Sequence, residues 1–424
     1  MSKWLFLLLT TFIGSMSLSG QTRILASDFG VKPNSFTNAA PFIRKAIESC
    51  AGRSGIILQL PAGRIDMWPD GAFKKELYIS NSTENDTLSK VKNIAFLLEG
   101  FKNISIEGNN TLIMLHGKME SFAFLNCSDI VLKNISFDYE CPTMSELKIT
   151  SVTNNEVKTE IHPDTRFFPK TNFQVGNIFT IRDPYRDNSG AFISLSKNIR
   201  LENVKMHYMH DQTYGFKAFF AGDSIAFINP QTLQPVANAV IKGATLLNRR
   251  EMELELAQAL PKGVETVQVI ENITWTPEVR ISNSRFEKTN TRGLLITTRR
   301  KVLIENNTFY RTGMHAILIA NDASSWFESG PVQDVTIRNN TFEECAYDQA
   351  PGNYVIAIAP ENHKLIPGYM VHRNIRIENN IFKVYDYPIL TARSTENLIF
   401  RNNIIVRTDF KKISDTKRSQ FKSK

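Results

Sequence analysis

The sequence has few of the residues, and none of the short motifs, that mark the commonest catalytic and metal centres. Its 424 residues include only four cysteines, Cys50, Cys127, Cys141 and Cys345, and none has the spacing of a metal site. We expect these cysteines to pack as small apolar side chains rather than to form a disulfide framework. HExxH, GxSxG, P-loop and CxxC motifs are all absent. The sequence therefore predicts no metal and no cofactor.

Two further absences narrow the range of partners. After an apolar run from Trp4 to Ile13, no stretch is long enough to cross a bilayer. That run follows Lys3 and leads into small residues up to Ser19 and Gly20, a pattern typical of a secretory signal peptide. It predicts an exported protein, periplasmic or extracellular. The net charge of +8 comes from scattered basic residues without a nucleic-acid-binding motif, so no nucleic-acid partner is predicted.

What the chain does contain is a repeat. Each copy has a short alternating strand, an Asn-rich corner and a second inward hydrophobic residue. A fixed period of this kind marks a solenoid, whose coils bury their apolar faces only by stacking on one another. The sequence thus predicts an all-β fold, a parallel β-helix, and one inward column formed by Ile281, Ile304, Ile337, Ile377 and Phe400. The copies are VRISNSRF (Val279–Phe286), VLIENNTF (Val302–Phe309), VTIRNNTF (Val335–Phe342), IRIENNIF (Ile375–Phe382) and LIFRNNII (Leu398–Ile405), with looser ones from Asn103, Ile130 and Ile199.

The spacing of the copies predicts where loops project. From Ile281 to Ile304, and from Ile377 to Phe400, the step is 23 residues, which suits one coil. The two steps between them, on either side of Ile337, are 33 and 40 residues. Those coils carry about 10 and 17 extra residues, which we expect to form loops on one face, often the binding face of a solenoid. The paired asparagines of the corners are expected to bond to one another along the solenoid axis rather than to sugars.

The repeat is interrupted twice. Thr37–Cys50 has the pattern of a short helix that covers the first coils, and Asn-Asn at 154–155 suits a hairpin turn. Ordinary alternating strands replace the corners from Glu146 to Asp183 and from Tyr214 to Pro277, and we interpret them as two small β-barrel or sandwich insertions. The predicted division is 1–20 signal peptide, 21–145 cap and first coils, 146–183 first insertion, 184–212 one coil, 213–277 second insertion, 278–408 C-terminal coils and 409–424 basic tail.

The two longer coils carry residues that suit a sugar site. Glycosidases use two carboxylates, one as an acid and one as a base or nucleophile. Asp322 and Glu328 flank Trp326, whose ring suits stacking on a pyranose, although Trp326 packing on a coil and Asp322 capping a turn explain them as well. With Glu361, these two acids are fallback candidates for catalysis. Candidate substrate-binding residues are Arg292, Arg300, His315, Trp326, Tyr354 and Asn362, since an Arg can fork two hydroxyls; His315 fits a structural role equally well.

Several long phrases resemble one known family. TRGLLITTRRKVLIENNTFYRTGMHAILIANDASSWFESGPVQDVTIRNNTF (Thr291–Phe342), NYVIAIAPENH (Asn353–His363) and DYPILTARST (Asp386–Thr395) are similar to the exo-α-1,3-galactosidases of glycoside hydrolase family 110. So are Arg182–His210 and Thr213–Asn229. The resemblance implies a right-handed parallel β-helix with barrel insertions. It also implies removal of terminal α-1,3-linked galactose, including from blood-group-B-type glycans, with inversion, and therefore α-galactosyl glycans as partners.

The chain departs from this family at His210–Asp211. There HYMH passes directly into DQTYGF, whereas in the family further coils with a paired-Asp motif and an upstream Asp supply the catalytic carboxylates. No Asp-Asp dipeptide occurs anywhere in this sequence, so no catalytic residue is carried over. Two hypotheses follow: an exported α-1,3-galactosidase, or a catalytically impaired galactoside-binding β-helix, which includes a truncated family member. We expect Leu201 and Ile281 to lie on neighbouring coils across this join.

Overall fold

The computed structural model describes residues 21–77, 91–140, 147–161, 168–172, 176–180, 191–194, 196–207, 219–247, 252–289, 292–324, 330–346, 353–384 and 389–408. The predicted signal peptide, Cys141, the His210–Asp211 join and the predicted basic tail lie outside these ranges. Within them the chain is almost entirely β-structure, with a single-turn 3-10 helix at Ala26–Phe29 and the helix α1 at Ala40–Glu48. No helical segment in these ranges has the length and apolar character needed to cross a membrane.

The strands are numbered in chain order. They are β1 (Thr22–Leu25), β2 (Ile56–Gln59), β3 (Gly63–Met67), β4 (Phe73–Glu76), β5 (Val91–Glu99), β6 (Lys102–Leu115), β7 (Glu120–Leu125), β8 (Ser128–Tyr139), β9 (Leu147–Val152), β10 (Val157–Ile161), β11 (Phe168–Asn172), β12 (Gly176–Thr180), β13 (Ala191–Ser194), β14 (Lys197–Glu202), β15 (Lys205–His207), β16 (Ser224–Ile228), β17 (Pro235–Leu246), β18 (Met252–Leu256), β19 (Val269–Asn272), β20 (Val279–Ser282), β21 (Arg285–Glu287), β22 (Leu294–Ile296), β23 (Val302–Glu305), β24 (Thr308–Tyr310), β25 (Ile317–Ile319), β26 (Val335–Arg338), β27 (Thr341–Glu343), β28 (Ile356–Ile358), β29 (His372–Glu378), β30 (Ile381–Val384), β31 (Leu390–Ala392), β32 (Thr395–Arg401) and β33 (Ile404–Arg407).

The repeats stack as successive coils of a parallel β-helix, which confirms the predicted fold. Ile281, Ile304, Ile337, Ile377 and Phe400 pair in direct register from β20 to β32. The middle three are fully buried, whereas Phe400 on the last described coil is partly exposed. The predicted register is therefore correct for all five residues, and the inward position is confirmed for the four isoleucines.

A second column consists of aromatic rings from the strand that follows each corner. Phe286, Phe309, Phe342 and Phe382 stack with centroid separations of 5.2, 5.0 and 4.9 Å and nearly parallel planes. All four side chains are buried. Burying each ring is worth about 1.5–3 kcal/mol, and offset stacking adds to that value. Because every ring contacts only the rings above and below it, this column ties neighbouring coils together.

The corners between the two strands follow one rule. The first asparagine, as in Asn306, Asn339 and Asn379, has φ between 55° and 58°, the left-handed region that Asn tolerates better than most residues. The second asparagine points inward. Asn340 Nδ2 donates to the Asn380 Oδ1 atom and to the Ile304 carbonyl, both at 3.0 Å. The expectation that these asparagines bond along the axis is confirmed.

The helix α1 packs on the first coils through Ile43, Ala46 and Ile47, all fully buried. Asn38 fixes its start, because the Asn38 Oδ1 atom accepts a hydrogen bond from the Ala40 N–H at 3.0 Å and Pro41 needs no such acceptor. Of the cysteines, Cys50, Cys127 and Cys345 are buried and free, as predicted. Desolvation raises the pKa of the Cys127 and Cys345 thiols to about 11.

The two interruptions of the repeat are antiparallel. β9 pairs with β10 around the Asn-Asn turn at 154–155, and β11 pairs with β12. The second interruption forms a four-stranded sheet in the order β18-β17-β16-β19. Across this second interruption the helix continues without a break in register, since Leu201 on β14 pairs with Ile281 on β20 and Met206 on β15 pairs with Phe286 on β21. The expectation that Leu201 and Ile281 lie on neighbouring coils is confirmed.

Candidate functional site

The third face of the C-terminal coils is a parallel sheet in the order β22-β25-β28-β31. The two longer coils connect to it, and most of the sequence-predicted site residues lie at the two ends of its strands. We call each of these ends an edge. Arg292, His315 and Tyr354 precede its strands, whereas Arg300, Asp322, Glu361 and Asn362 follow them. From His315 to Asp322 the chain takes seven steps of about 3.3 Å. The predicted residues therefore form two separate rows, with at most about 23 Å between them along one coil.

The row before the strands is one column on three coils. Arg292, His315 and Tyr354 each stand two residues before the paired positions Leu294, Ile317 and Ile356. His315 is buried, and its Nδ1 atom accepts a hydrogen bond from the Tyr354 N–H at 3.1 Å, with the Tyr354 carbonyl oxygen 2.8 Å away. The His315 ring is thus fixed to the next coil.

The row after the strands contains a carboxylate, a hydroxyl and an imidazole in contact. Asp322 is buried, and its Oδ1 atom accepts hydrogen bonds from the Ser324 N–H at 3.0 Å and the Ser324 hydroxyl at 3.2 Å. The Ser324 Oγ atom also lies 3.2 Å from His363 Nε2. Asp322 therefore caps a turn, which is the alternative to a catalytic role that the sequence also allowed. Ser324 and His363 place further polar groups beside it.

The longer loop begins at Glu361 and Asn362. The Glu361 N–H donates to the Asn321 carbonyl at 2.9 Å, and its half-exposed carboxylate lies 3.9 Å from the Arg393 guanidinium. Asn362 is buried, and its Nδ2 atom lies 3.5 Å from the Ser394 hydroxyl. The site residues of three consecutive coils therefore contact one another at this edge.

Sequence reasoning placed His363 in the longer loop without a role, and it missed Asn321, Ser324 and Ser394. Asn321 is 1% exposed, and in the described part of the chain neither its Oδ1 nor its Nδ2 atom has a hydrogen-bond partner; the Asn362 Oδ1 atom also lacks one. Buried amides are rarely left unpaired, so these atoms give the edge capacity for hydroxyl groups or water. The signal was present in the sequence, because Asn321 comes two residues after the inward Ile319.

The antiparallel sheet of β16–β19 is anchored to the same edge. Arg299, which follows β22, donates to the Glu271 carboxylate of β19 through Nε at 2.8 Å and Nη2 at 2.5 Å. The Glu271 side chain is fully buried and that of Arg299 largely so. On the longer loop, the Tyr369 hydroxyl donates to the Leu233 carbonyl at 2.9 Å. These contacts hold the antiparallel sheet, the segment after β22 and the longer loop together beside the polar edge.

One predicted residue, Arg300, lies close to these contacts. Arg300 is exposed, and its Nε atom donates to the Thr276 hydroxyl at 3.2 Å, which ties it to the segment between β19 and β20. Gly330 passes so close to Thr297 that an added Cβ would lie 1.7 Å from the Thr297 carbonyl oxygen. Trp326 and Glu328, between Ser324 and Gly330 in sequence, lie outside the described residues.

The described residues of this edge include two candidate carboxylates with different surroundings. Asp322 is buried, while Glu361 is half-exposed beside Arg393. An acid and a base for glycoside hydrolysis need such different environments. Across the described ranges, no three His, Cys, Asp or Glu side chains are grouped to hold a metal ion.

Comparison with known proteins identifies both the helix and the insertion. Residues 269–421 match the family described as right handed beta helix region, and residues 203–270 match the GLAA-B beta-barrel domain II. A solved thermostable GH87 alpha-1,3-glucanase from Streptomyces thermodiastaticus has a TM-score of 0.43 at 12% identity, covering 92% of this chain and 47% of that one.

Two curated relatives cover nearly the whole chain. Alpha-1,3-galactosidase A of Bacteroides fragilis is 34% identical over an alignment of 558 positions that covers 96% of this chain and 92% of that protein. Alpha-1,3-galactosidase B of Bacteroides thetaiotaomicron is 30% identical over 547 residues, covering 92% of this chain and 87% of that protein. The chain therefore belongs to the alpha-1,3-galactosidase family.

Proposed function

We propose that this protein is an exported glycoside hydrolase that removes terminal α-1,3-linked galactose from glycans, with inversion. The observation that carries the proposal is family membership over nearly the full chain, at 34% identity to an alpha-1,3-galactosidase. The polar edge after β22, β25 and β28 supports it, because it groups carboxylates, amides and an arginine on three stacked coils. Such groups suit the hydroxyls and the glycosidic oxygen of a sugar.

In this proposal Glu361 and Asp322 divide the acid and base roles. Glu361 is solvent-accessible and lies 3.9 Å from Arg393, and we assign it the base role because the base must reach a water molecule. Asp322 is buried against the Ser324 hydroxyl, and we assign it the acid role. Glu328 is the third candidate. Arg300 and Asn362 bind the galactose hydroxyls at the same edge.

We propose that the row before the strands binds substrate away from the catalytic groups. Arg292, His315 and Tyr354 begin the strands whose other ends carry the proposed catalytic groups, and they line the same sheet. Trp326 supplies the aromatic surface for the pyranose. We propose the domain division given above as the framework, and the match of residues 203–270 to a barrel domain supports an insertion in the second interruption.

A second function, galactoside binding without hydrolysis, is favoured by one specific observation. The alignment with the Bacteroides fragilis relative extends over 558 positions, although this chain has only 424 residues. More than a hundred positions of that relative therefore have no counterpart here. If they include its acid and base, this chain retains the sugar surface and loses most of the rate, since general acid–base catalysis alone contributes about 10²–10⁴-fold.

One assay separates the two functions. Purified protein is incubated with the disaccharide Galα1,3Gal, released galactose is measured, and the α-1,4-linked disaccharide serves as the control substrate. Release from the α-1,3 substrate alone, abolished in the triple variant D322N/E328Q/E361Q, is the expected result. Saturable binding of Galα1,3Gal by calorimetry without release would establish the binding function instead. Neither release nor binding would overturn both.

A further inference from the structure

The outward face of the first strand of each coil carries a ladder of opposite charges. Lys133 on β8 pairs with Glu202 on β14 at 3.2 Å. Farther along, the Glu305 carboxylate on β23 accepts from Arg280 on β20 at 2.7 Å and from Arg338 on β26 at 2.6 Å. Opposite charges on neighbouring strands stabilise a sheet, and like charges directly opposite each other destabilise it.

The ladder fails at one place, between β14 and β20. Arg200 on β14 stands directly opposite Arg280 on β20, and Glu202 stands opposite Ser282. Arg280 turns toward Glu305, whereas Arg200 has no ion pair or hydrogen bond of its side chain with any described residue. Two guanidinium groups therefore face outward side by side, and only one of them has a carboxylate partner.

The carboxylates nearby do not offset this charge. Glu202 is engaged by Lys133, and Glu305 is shared by two arginines. Burial of the Glu305 carboxyl would raise its pKa, but the hydrogen bonds from Arg338 and Arg280 outweigh burial and lower it. Glu305 is thus already ionised and fully used by its two partners. The net excess of positive charge at this rung rests on Arg200.

A shallow depression opens at the same rung. Its lining consists of Arg200, Glu202, Arg280, Ser282 and Asn283. Ser282 is only 6% exposed, and its hydroxyl has no hydrogen-bond partner among the described residues. The depression therefore combines an unpaired cation, a second guanidinium and an unpartnered hydroxyl that lines it.

We propose that this depression binds an oxyanion, namely the sulfate ester or the carboxylate of an acidic glycan. Arg forks such groups through parallel N–H bonds, and a hydroxyl and an amide supply the neutral donors for the remaining oxygens. Bound there, the oxyanion neutralises the Arg200–Arg280 rung. The site involves no bond cleavage and lies on a different face of the coils from the β22-β25-β28-β31 edge, so it goes beyond the proposed hydrolase.

The test compares two exposed arginines on one column. Arg200 and Arg376 occupy equivalent outward positions, on β14 and β29, but only Arg200 lines the depression. Binding of galactose 6-sulfate, galacturonate and neutral galactose is measured by calorimetry for the wild type, R200Q, S282A and R376Q. Loss of a charged hydrogen bond should weaken binding of one acidic sugar about tenfold or more in R200Q. R376Q should bind like the wild type, and S282A should be intermediate.

The acidic sugar that binds identifies the oxyanion. Equal affinities in R200Q and R376Q, binding of neutral galactose with the same R200Q dependence, or no binding of either acidic sugar would overturn the site. Thermal unfolding in sodium sulfate and in sodium chloride at equal ionic strength is a second measurement. A sulfate shift of the same size in all four proteins would indicate only exclusion of sulfate from the protein surface and would also contradict the proposal. Because every readout is binding or stability, failure leaves the hydrolase assay unaffected.

Discussion

Leu201 and Ile281 pair directly across β14 and β20, although the entire four-stranded sheet of β16–β19 lies between them in the chain. The inward columns pass through this join without a change of phase, because Met206 takes the place of a phenylalanine between Phe137 and Phe286. The insertion leaves the solenoid and returns to it one coil later. The pairing of β14 with β20 therefore preserves the packing of the helix while it brings Arg200 beside Arg280.

The phenylalanine column should carry a large share of the stability. Phe342 is fully buried between Phe309 and Phe382. Replacing it by Ala should lower the free energy of unfolding by about 3–5 kcal/mol, because a cavity remains between two rigid coils. Urea titration followed by circular dichroism measures the change. Phe36→Ala, at a side chain 64% exposed, is the matched control, and an equal loss in both variants would contradict this reading.

The two asparagines of one corner should differ in how much their substitution lowers the free energy of unfolding. Asn339 is in the left-handed region at φ 55°, so N339G should be neutral to within about 0.5 kcal/mol, since Gly adopts that conformation freely. The Asn340 side chain donates to the Ile304 carbonyl and the Asn380 Oδ1 atom and accepts from the N–H and the Nδ2 atom of Asn307. N340A should therefore cost about 1–3 kcal/mol for the groups left unpaired. Chemical denaturation of both variants decides the matter. Comparable losses would mean that the ladder is not specific to the second asparagine.

Replacing one partner of the Glu271–Arg299 pair should lower the free energy of unfolding more than replacing both partners. Its side chains are buried, and removing one partner of such a pair typically costs about 3–5 kcal/mol because the other charge is left unpaired. E271M and R299M should therefore each destabilise the protein far more than the double variant E271M/R299M. A double-mutant cycle on unfolding free energies tests this. Additive single and double losses would show that the pair does not anchor the insertion.

His372 should make stability depend on pH in the weakly acidic range. Burial lowers its pKa to about 3, and the neutral ring accepts a hydrogen bond from the Val332 N–H at 3.0 Å. Unfolding lets the ring take up a proton near its ordinary pKa of 6.5. Stability should therefore fall as the pH decreases from about 6.5 to about 3, because only the unfolded state binds that proton.

The matched comparison for His372 uses another histidine. H372Q keeps an acceptor for Val332 and removes the titrating group, so its stability should change less between pH 6.5 and 4 than that of the wild type. H363Q, at an exposed ring, should retain the wild-type slope. Unfolding free energies measured at several pH values provide the test, and identical slopes in wild type and H372Q would refute the assignment.

The sequence was sufficient to predict the parts of this structure that depend on local repetition. Ile304, Phe342 and Asn340 recur at fixed offsets, and a solenoid requires equivalent residues to stack, so their columns follow from alignment of the copies. Counting back two residues from Ile317 would also have grouped His315 with Tyr354. Glu271 and Arg299 could not be paired in this way. Their contact joins an antiparallel insertion to a corner loop, and no periodicity relates the two segments.

The candidate site shows the same limit. Asp322 and Glu361 stood out because acids near aromatics suit sugars, but their surroundings come from different coils. Ser324 contacts His363 across 39 residues of chain, and Asn362 contacts Ser394 on the following coil. Such neighbours depend on the length of each loop. The repeat fixes which coils are adjacent, whereas the path of the extra residues within each coil is not encoded in the repeat.

The unbroken register at the join bears on how proteins of this architecture change in length. Each ring and each inward asparagine contacts the coil before and the coil after it. A coil is therefore the unit that can be removed or added without disturbing the packing of the others. A deletion of whole coils brings one matching surface onto another and leaves a foldable chain. A deletion of part of a coil turns every later side chain to the wrong face. A length difference of whole coils should therefore leave the inward columns in phase, while it places a new pair of outward residues opposite each other, as Arg200 is opposite Arg280.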